Sequence, residues 1–226
     1  MISRKQFLAL TKLDSDGLAA LKRRDQIPIP NKADREYSPF EAFTYLVCDR
    51  LVDAPNGHSM NRTIAAATVR DAASLITARG DEIEASAETF RKGDGSSHIY
   101  AGRLMAASAP PQGFVGTVEE AQDHFKQTID QIPRWLPFVG TKAEFAERIA
   151  QAGTLFEVVL TNITAAFVVL TVRAQREDIS LAGMWPDPAS LPTAEQIHAD
   201  RLARIKANYR AVVDEVNKDR GLGGGE

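Results

Sequence analysis

Two prolines close together limit what the N-terminal part of this chain can form. In Ile27-Pro28-Ile29-Pro30-Asn31 each proline lacks a backbone donor and pushes its predecessor toward an extended conformation. No helix can continue through this segment, so any helices before it must be short. Turn-forming clusters at residues 53–57, 92–97 and 108–113 divide the rest of the chain in the same way.

Between these breaks, apolar spacing and capping signals predict a mainly α-helical protein. After Ser38-Pro39, a cap followed by proline at the first helical position, a helical stripe is formed by Phe40, Phe43, Leu46, Val47 and Leu51. A second, alanine-rich stripe consists of Ile64, Thr68, Ala72, Leu75 and Ile76. Capping boxes predict three later helices, at Thr117/Glu120, Thr141/Glu144 and Thr193/Gln196, and the last one carries an apolar stripe from Leu202 to Val216.

Two segments are open to more than one interpretation. Residues 98–105 and 114–118 flank a turn and can pair as a β-hairpin. Residues 158–172 contain no charge and are rich in β-branched residues, yet their apolar side chains fall on one helical face. We expect a buried helix there, with a strand as the alternative. The segment is too short and too polar to span a bilayer.

The composition excludes several classes of protein and site. The chain has 226 residues, of which 44% are hydrophobic and 25% charged, as in ordinary soluble domains. Its one cysteine, Cys48, can form no internal disulfide and lies in an apolar helical stripe. The four histidines are dispersed, and no nucleophile, acid/base pair or phosphate loop has the required spacing. We therefore expect a cytoplasmic protein that is not an enzyme and has no metal, cofactor or membrane partner.

Charge is distributed unevenly along the chain. The overall net charge is −3, but residues 1–70 carry eleven basic and eight acidic side chains, whereas residues 71–226 carry sixteen and twenty-two. An excess of positive charge at one end is typical of a part that binds anions, such as nucleic acid.

The positive part has the proportions of a helix-turn-helix. Ser3 can cap a short helix from Arg4 to Leu10, and after a turn at residues 11–14 either Ser15 or Asp16 can cap a second helix that runs through Arg24. The second helix ends in three cations, Lys22, Arg23 and Arg24. Residues 27–30 then leave in an extended form, and residues 35–37 return, which predicts a wing with Lys32 and Arg35 at its tip.

These residues resemble the winged helix-turn-helix domain of the MerR-like regulators over about the first fifty positions. The likeness rests on the turn at Thr11-Lys12-Leu13, Leu18 in the second helix, the run Arg23-Arg24-Asp25-Gln26-Ile27-Pro28, and Arg35-x-Tyr37-Ser38-Pro39-Phe40. It implies a DNA-binding regulator, usually dimeric, with the second helix in the major groove. The metal-sensing cysteines of some members have no counterpart. The candidate DNA contacts are Lys12, Ser15, Asp16, Lys22, Arg23, Arg24, Lys32, Arg35 and Tyr37.

The resulting hypothesis is a sequence-specific transcriptional regulator that binds double-stranded DNA as a homodimer. Residues 1–76 would form the winged helix-turn-helix domain, 77–220 a mainly helical domain for dimerisation or signal reception, and 221–226 a disordered tail. The likeliest self-association surfaces are residues 156–172 and the stripe from Leu202 to Val216. Two alternatives are an excisionase-like recombination accessory factor that bends DNA and a protein–protein interaction module.

Overall fold

The structure is a computed structural model that describes residues 1–29, 36–53, 60–93, 98–106, 135–151 and 155–193, together with residues 196, 199, 200, 203 and 207. These residues are mainly helical, as predicted, and two small antiparallel sheets accompany the helices. The chain divides into two compact units, Met1–Leu191 and Pro192–Glu226. Within the second unit, the Thr193/Gln196 capping box is formed, because each backbone N–H is bonded by the other residue's side chain.

The N-terminal elements follow one another closely. They are β1 (Ile2–Ser3), α1 (Arg4–Thr11), α2 (Ser15–Arg23), β2 (Glu36–Tyr37) and α3 (Pro39–Val52). The start of α3 was predicted correctly: Ser38 and Glu41 form a reciprocal capping box with proline at the first turn. Its predicted stripe is buried, together with most of the helix.

The remaining elements are helices and the three strands of one sheet. They are α4 (Arg62–Ala78), α5 (Gly80–Arg91), β3 (Tyr100–Ala106), β4 (Trp135–Gly140), α6 (Lys142–Gln151), β5 (Leu155–Asn162), α7 (Ile163–Arg176) and a 3₁₀ turn at Pro188–Ser190. The sheet order is β4-β3-β5, with both pairs antiparallel. Gly102 on the central strand is required by this packing, because a Cβ there would collide with the carbonyl oxygen of Val159.

Strand β3 confirms extended structure at residues 100–105 but not the expected partner. Its described partners are β4 and β5 rather than residues 114–118, which lie outside the described residues, as does the helix predicted from Thr117. The capping box at Thr141 and Glu144 does open a helix, α6.

The prediction of one buried helix over residues 158–172 is wrong for its first part. Strand β5 continues to Asn162, and α7 begins at the next residue. The Asn162 side chain accepts a hydrogen bond from the Ala165 backbone N–H at 3.0 Å, which supplies the cap that ends the strand and starts the helix. Both secondary structures considered for this segment are therefore present in sequence.

Two members of the stripe predicted for α4 are exposed. Ile64 is 40% and Leu75 39% exposed, whereas Ala65, Val69 and Ile76 are buried. The face that packs inward is thus rotated relative to the one predicted, and three alanines, Ala65, Ala66 and Ala72, form part of it.

Aromatic side chains form the centre of the core. Phe43 contacts Phe40, Phe167 and Trp185 at ring-centroid distances of 5.6–6.5 Å. The Trp185 indole N–H donates to the Glu84 carboxylate at 2.7 Å, so its polar edge is also bonded. Trp185 is therefore a packing anchor of the core.

Helix α7 crosses this core, and its apolar side chains are used within the chain. Ile163, Phe167 and Leu170 are buried against the rest of the fold, which leaves them no free surface for a second copy. The other predicted self-association stripe, Leu202 to Val216, lies almost wholly outside the described residues. The boundary predicted after residue 76 falls inside α4, and the core is continuous across it. Among the described residues, every helix is too short or too polar to cross a membrane.

Candidate nucleic-acid interface

Helices α1 and α2 are both formed by local capping, close to where the sequence predicts them. The Ser3 side chain accepts from the Gln6 N–H, and the Gln6 side chain accepts from the Ser3 N–H, which completes a capping box for α1. The cap of α2 was assigned to the wrong residue. It is Asp14, whose carboxylate accepts from the Gly17 N–H at 2.5 Å, rather than Ser15 or Asp16.

The turn between the helices depends on one residue in a left-handed conformation. Lys12 has φ 60° and ends α1, a conformation that is uncommon for a residue with a Cβ. Thr11 is buried and its hydroxyl donates to the Phe7 carbonyl at 2.8 Å. The Lys12 side chain points outward and lies 3.8 Å from the Glu177 carboxylate, with both side chains about half exposed. Lys12 is therefore accessible, although an acidic neighbour shares its charge.

Helix α2 exposes one face and buries another. Leu18 is the buried residue of this helix, and Leu13 and Leu21 pack partly against the same core. Ser15, Asp16, Ala19 and Arg23 are all exposed and recur at helical spacing. We name the surface formed by these four residues the α2 face. It carries Asp16 near its start and ends at Arg23, next to the exposed Arg24.

Arg23 and Arg24 form the basic end of the α2 face. Neither side chain makes a hydrogen bond or ion pair with any other residue in the part of the chain that is described. Both are in or next to the last turn of α2, where positive charge complements the partial negative charge of the helix end. Among the described residues, no side chain occupies the two guanidinium groups, which makes them candidates for binding an external anion.

Lys22 and Tyr37, two of the predicted contacts, bind each other instead of facing solvent freely. The Lys22 ammonium donates to the Tyr37 hydroxyl at 3.0 Å and lies 4.9 Å from the centre of its ring. The ring itself is buried and stacks on Phe7 with centroids 4.3 Å apart. This arrangement ties the end of α2 to the small sheet.

The predicted wing is wrong in its pairing. Strand β2 pairs with the N-terminal strand β1, Ile2 opposite Tyr37 and Ser3 opposite Glu36, and not with residues 27–29. Residues 27–29 form a bend in which Ile27, Pro28 and Ile29 are buried, so this segment lies against the core. Lys32 and Arg35, expected at the tip, lie outside the described residues.

Two arginines that the sequence did not single out lie at opposite ends of α2. The Arg4 guanidinium donates to the Ser15 hydroxyl at 2.7 Å. At the other end, Arg70 makes a two-point ion pair with Asp25, at 2.7 and 3.1 Å, and Asp25 raises the pKa of Arg70 further. Asp25 has φ 52°, so the chain reverses direction there. Neither partnership has a signal in local sequence, because eleven and forty-five residues separate the partners.

Helix α7 also contacts this region. The Arg173 guanidinium donates to the Leu10 carbonyl at 2.7 Å, close to the end of α1, and Leu10 itself is fully buried. A carbonyl in the last turn of a helix has no partner within that helix. A cation beside it donates a hydrogen bond to the carbonyl and complements the partial negative charge of the helix end. The pair of helices α1 and α2 is thus joined to the rest of the fold.

Other reactive groups of the described residues lie apart from the α2 face. Burial raises the pKa of the Cys48 thiol to about 12, so it is neutral and unreactive at ordinary pH. Burial likewise raises the pKa of Tyr45 to about 12, next to the Arg62–Asp49 pair. No cluster of three metal-ligating side chains exists among the residues the structure describes.

A concave region lies between α4, β4 and α6. It has a volume of about 270 Å³ and is lined by apolar and charged groups of both signs, including Leu75, Phe138, Arg79 and Glu144. Arg79 donates to both Glu144 and Glu82. Bonds from Arg79 and from the Thr141 backbone lower the pKa of Glu144 from 4.5 to about 2. These interactions join α6 to the junction of α4 and α5, which gives the region a structural role.

Comparison with protein families, with characterised proteins and with solved structures found no match to this chain.

Proposed function

We propose that this chain is a sequence-specific DNA-binding transcriptional regulator that acts in the cytoplasm as a homodimer, with α2 in the major groove. The observation that carries the proposal is the α2 face: a short exposed helix that follows a tight turn and ends at two arginines with no partner in the described chain. Arginine is suited to phosphate because its planar fork donates two parallel hydrogen bonds. The MerR-like resemblance of the same residues supports this assignment.

The other exposed residues of the α2 face fit a role in reading bases. A major groove about 12 Å wide admits one helix, and a carboxylate such as that of Asp16 can accept from the cytosine amino group. Ser15 can bond to several base edges, and Ala19 can contact a thymine methyl group. The Lys22–Tyr37 pair would hold the helix in place, with less direct contact to DNA than the sequence suggested.

A protein–protein interaction module is the second candidate, and specific charges favour it. Asp16 is exposed on the α2 face, and Lys12 lies beside Glu177, so part of the surface is mixed in sign. A mixed surface suits a protein partner better than a uniformly negative duplex. The excisionase-like alternative would bind DNA through the same kinds of contact as a regulator, and it differs in that it bends the duplex.

Salt dependence of binding separates the DNA candidates from the protein-binding one. The full chain would be titrated with labelled duplexes cut from the source genome at several salt concentrations. DNA binding through several phosphates predicts a steep linear fall of log affinity with log salt, with a slope of about −0.9 for each phosphate neutralised. Absence of binding to every fragment at low salt would reject both DNA candidates, and footprinting with a bending assay on the bound fragments would separate these two.

A further inference from the structure

We propose that Arg4 is a second phosphate-binding side chain, at the end of α2 opposite Arg23 and Arg24. The inference rests on the proposed function and adds a contact to it. Arg4 is the first residue of α1, and the sequence around it indicates only the start of a helix. Its position beside α2 comes from a hydrogen bond between residues eleven positions apart.

The contact with Ser15 fixes the direction of the Arg4 side chain. One terminal nitrogen of the guanidinium, Nη2, donates to the Ser15 hydroxyl at 2.7 Å and lies 3.4 Å from the Ser15 carbonyl. A long arginine side chain at a surface usually samples many rotamers, and a short bond to a neighbouring helix reduces that freedom. The charge is thereby held at the first residue of α2.

The remaining donors of Arg4 are accessible. A guanidinium has five N–H groups, and within the described residues only Nη2 is bonded. Arg4 is an exposed residue, and it forms no ion pair with any described carboxylate, although Asp14 and Asp16 flank Ser15 in sequence. The Asp14 carboxylate is already used to cap the Gly17 N–H. The charge of Arg4 is thus not neutralised by a directly paired acid.

The spacing of the two basic ends suits a duplex. Ser15 and Arg23 are the first and last residues of α2, and eight steps of 1.5 Å place them about 12 Å apart. The major groove of B-DNA is also about 12 Å wide. With α2 in the groove, Arg4 would contact a phosphate on one border while Arg23 and Arg24 contact the other. The ligand is the phosphodiester group, which a guanidinium binds by two parallel hydrogen bonds.

The test compares two neighbouring cations on α1. Arg4→Gln removes the charge and keeps a polar amide side chain. Lys5→Gln removes one charge from the next residue, which is exposed and makes no bond to α2 in the described chain. Binding of each full-length variant to a mixed-sequence duplex would be measured across salt concentrations, because phosphate contacts act on any sequence.

We expect Arg4→Gln to reduce the steepness of the salt dependence by about 0.9, the value for one phosphate contact, and Lys5→Gln to leave it near that of the unaltered protein. Thermal denaturation of both variants should match the unaltered protein.

Equal slopes for the two variants would overturn the proposal for Arg4 while the proposed function stands. A flat salt dependence of the unaltered protein would instead reject the proposed function. If Arg4→Gln unfolds, Arg4→Met replaces it, because it also removes the charge: the same decrease in the steepness of the salt dependence is expected, and a slope equal to that of Lys5→Gln would overturn the proposal.

Discussion

Helices α2 and α3 are close in sequence and differ sharply in how they are used. Ten of the fourteen residues of α3 are buried, and they contact α1, α4, α7 and Trp185. Of the nine residues of α2, only Leu18 is buried. Helix α2 is thus exposed to solvent, whereas α3 holds the fold together. Stability and binding should therefore respond to different substitutions.

The exposed helix is nevertheless held at both ends. Lys22 binds Tyr37, Ser15 binds Arg4, and Asp25 binds Arg70. Exposed ion pairs contribute only roughly 0.2–1 kcal/mol each, so these contacts set the orientation of α2 more than they stabilise the protein. A recognition helix with a fixed orientation needs less ordering when it binds, which favours affinity.

The largest expected effect is on α3. Phe43 is fully buried among three aromatic rings, and Phe43→Ala would leave a cavity that costs about 3–5 kcal/mol in free energy of unfolding. Urea denaturation followed by fluorescence measures this loss. The matched change on α2, Ala19→Ser, should shift the free energy of unfolding by no more than about 0.5 kcal/mol. Equal losses for the two variants would remove the distinction between the helices.

The next effect concerns binding alone. Replacing both Arg23 and Arg24 by alanine should weaken DNA binding and reduce the steepness of its salt dependence by about 1.8, which corresponds to two lost phosphate contacts. Neither side chain is bonded in the described chain, so the unfolding midpoint should stay unchanged. A double variant at Arg91 and Lys92, which are exposed at the end of α5, controls for net charge. A comparable loss in that control would indicate a general charge effect.

A smaller effect is expected where α2 meets the small sheet. Tyr37→Phe keeps the stack on Phe7 and removes the oxygen that accepts from Lys22, at a cost of about 1 kcal/mol. The steepness of the salt dependence should not change, because no charge is lost. Thermal denaturation and DNA titration of the same sample measure both quantities. A change of slope with no loss of stability would instead make Tyr37 a binding residue of the interface.

The smallest effect is a pH dependence far from α2. The pKa of Glu144 is lowered to about 2 in the folded protein, so its ion pair with Arg79 stabilises the fold above about pH 4.5 and is lost as the pH falls toward 2. Glu144→Gln should lower stability slightly at pH 7 and flatten the acid limb of the stability curve between pH 4.5 and 2. The pair is partly exposed, so the difference should stay below about 1 kcal/mol. Identical acid limbs would show that the pair contributes nothing.

Local signals in the sequence predicted more of the fold than distant ones did. The caps at Ser3, Ser38 and Thr141 act within three residues and were found where expected. The pairing of β1 with β2 joins residues thirty-three and thirty-five positions apart, and no local pattern distinguishes it from a wing hairpin. The helix cap at Asn162 was not predicted, because this residue lies within an apolar segment whose pattern indicates one continuous secondary-structure element.

The candidate site shows the same division. Apolar spacing and the basic run identified the α2 face with Arg23 and Arg24. The mutual contact of Lys22 and Tyr37 could not be inferred, since it depends on the position of β2 relative to α2. Arg4 had no signal of its own as a site residue, because its relation to Ser15 requires the turn geometry set by Lys12.

Site-specific crosslinking tests most directly whether the α2 face meets DNA. The single natural cysteine, Cys48, is buried with a raised pKa, so a cysteine introduced at exposed Ala19 can be labelled selectively with a photoreactive group. A cysteine at Ala85, exposed on α5, is the matched control. We predict efficient crosslinking to duplex DNA from position 19 and little from position 85. Retained DNA binding with crosslinking from position 85 and none from position 19 would contradict the assignment of α2 as the recognition helix.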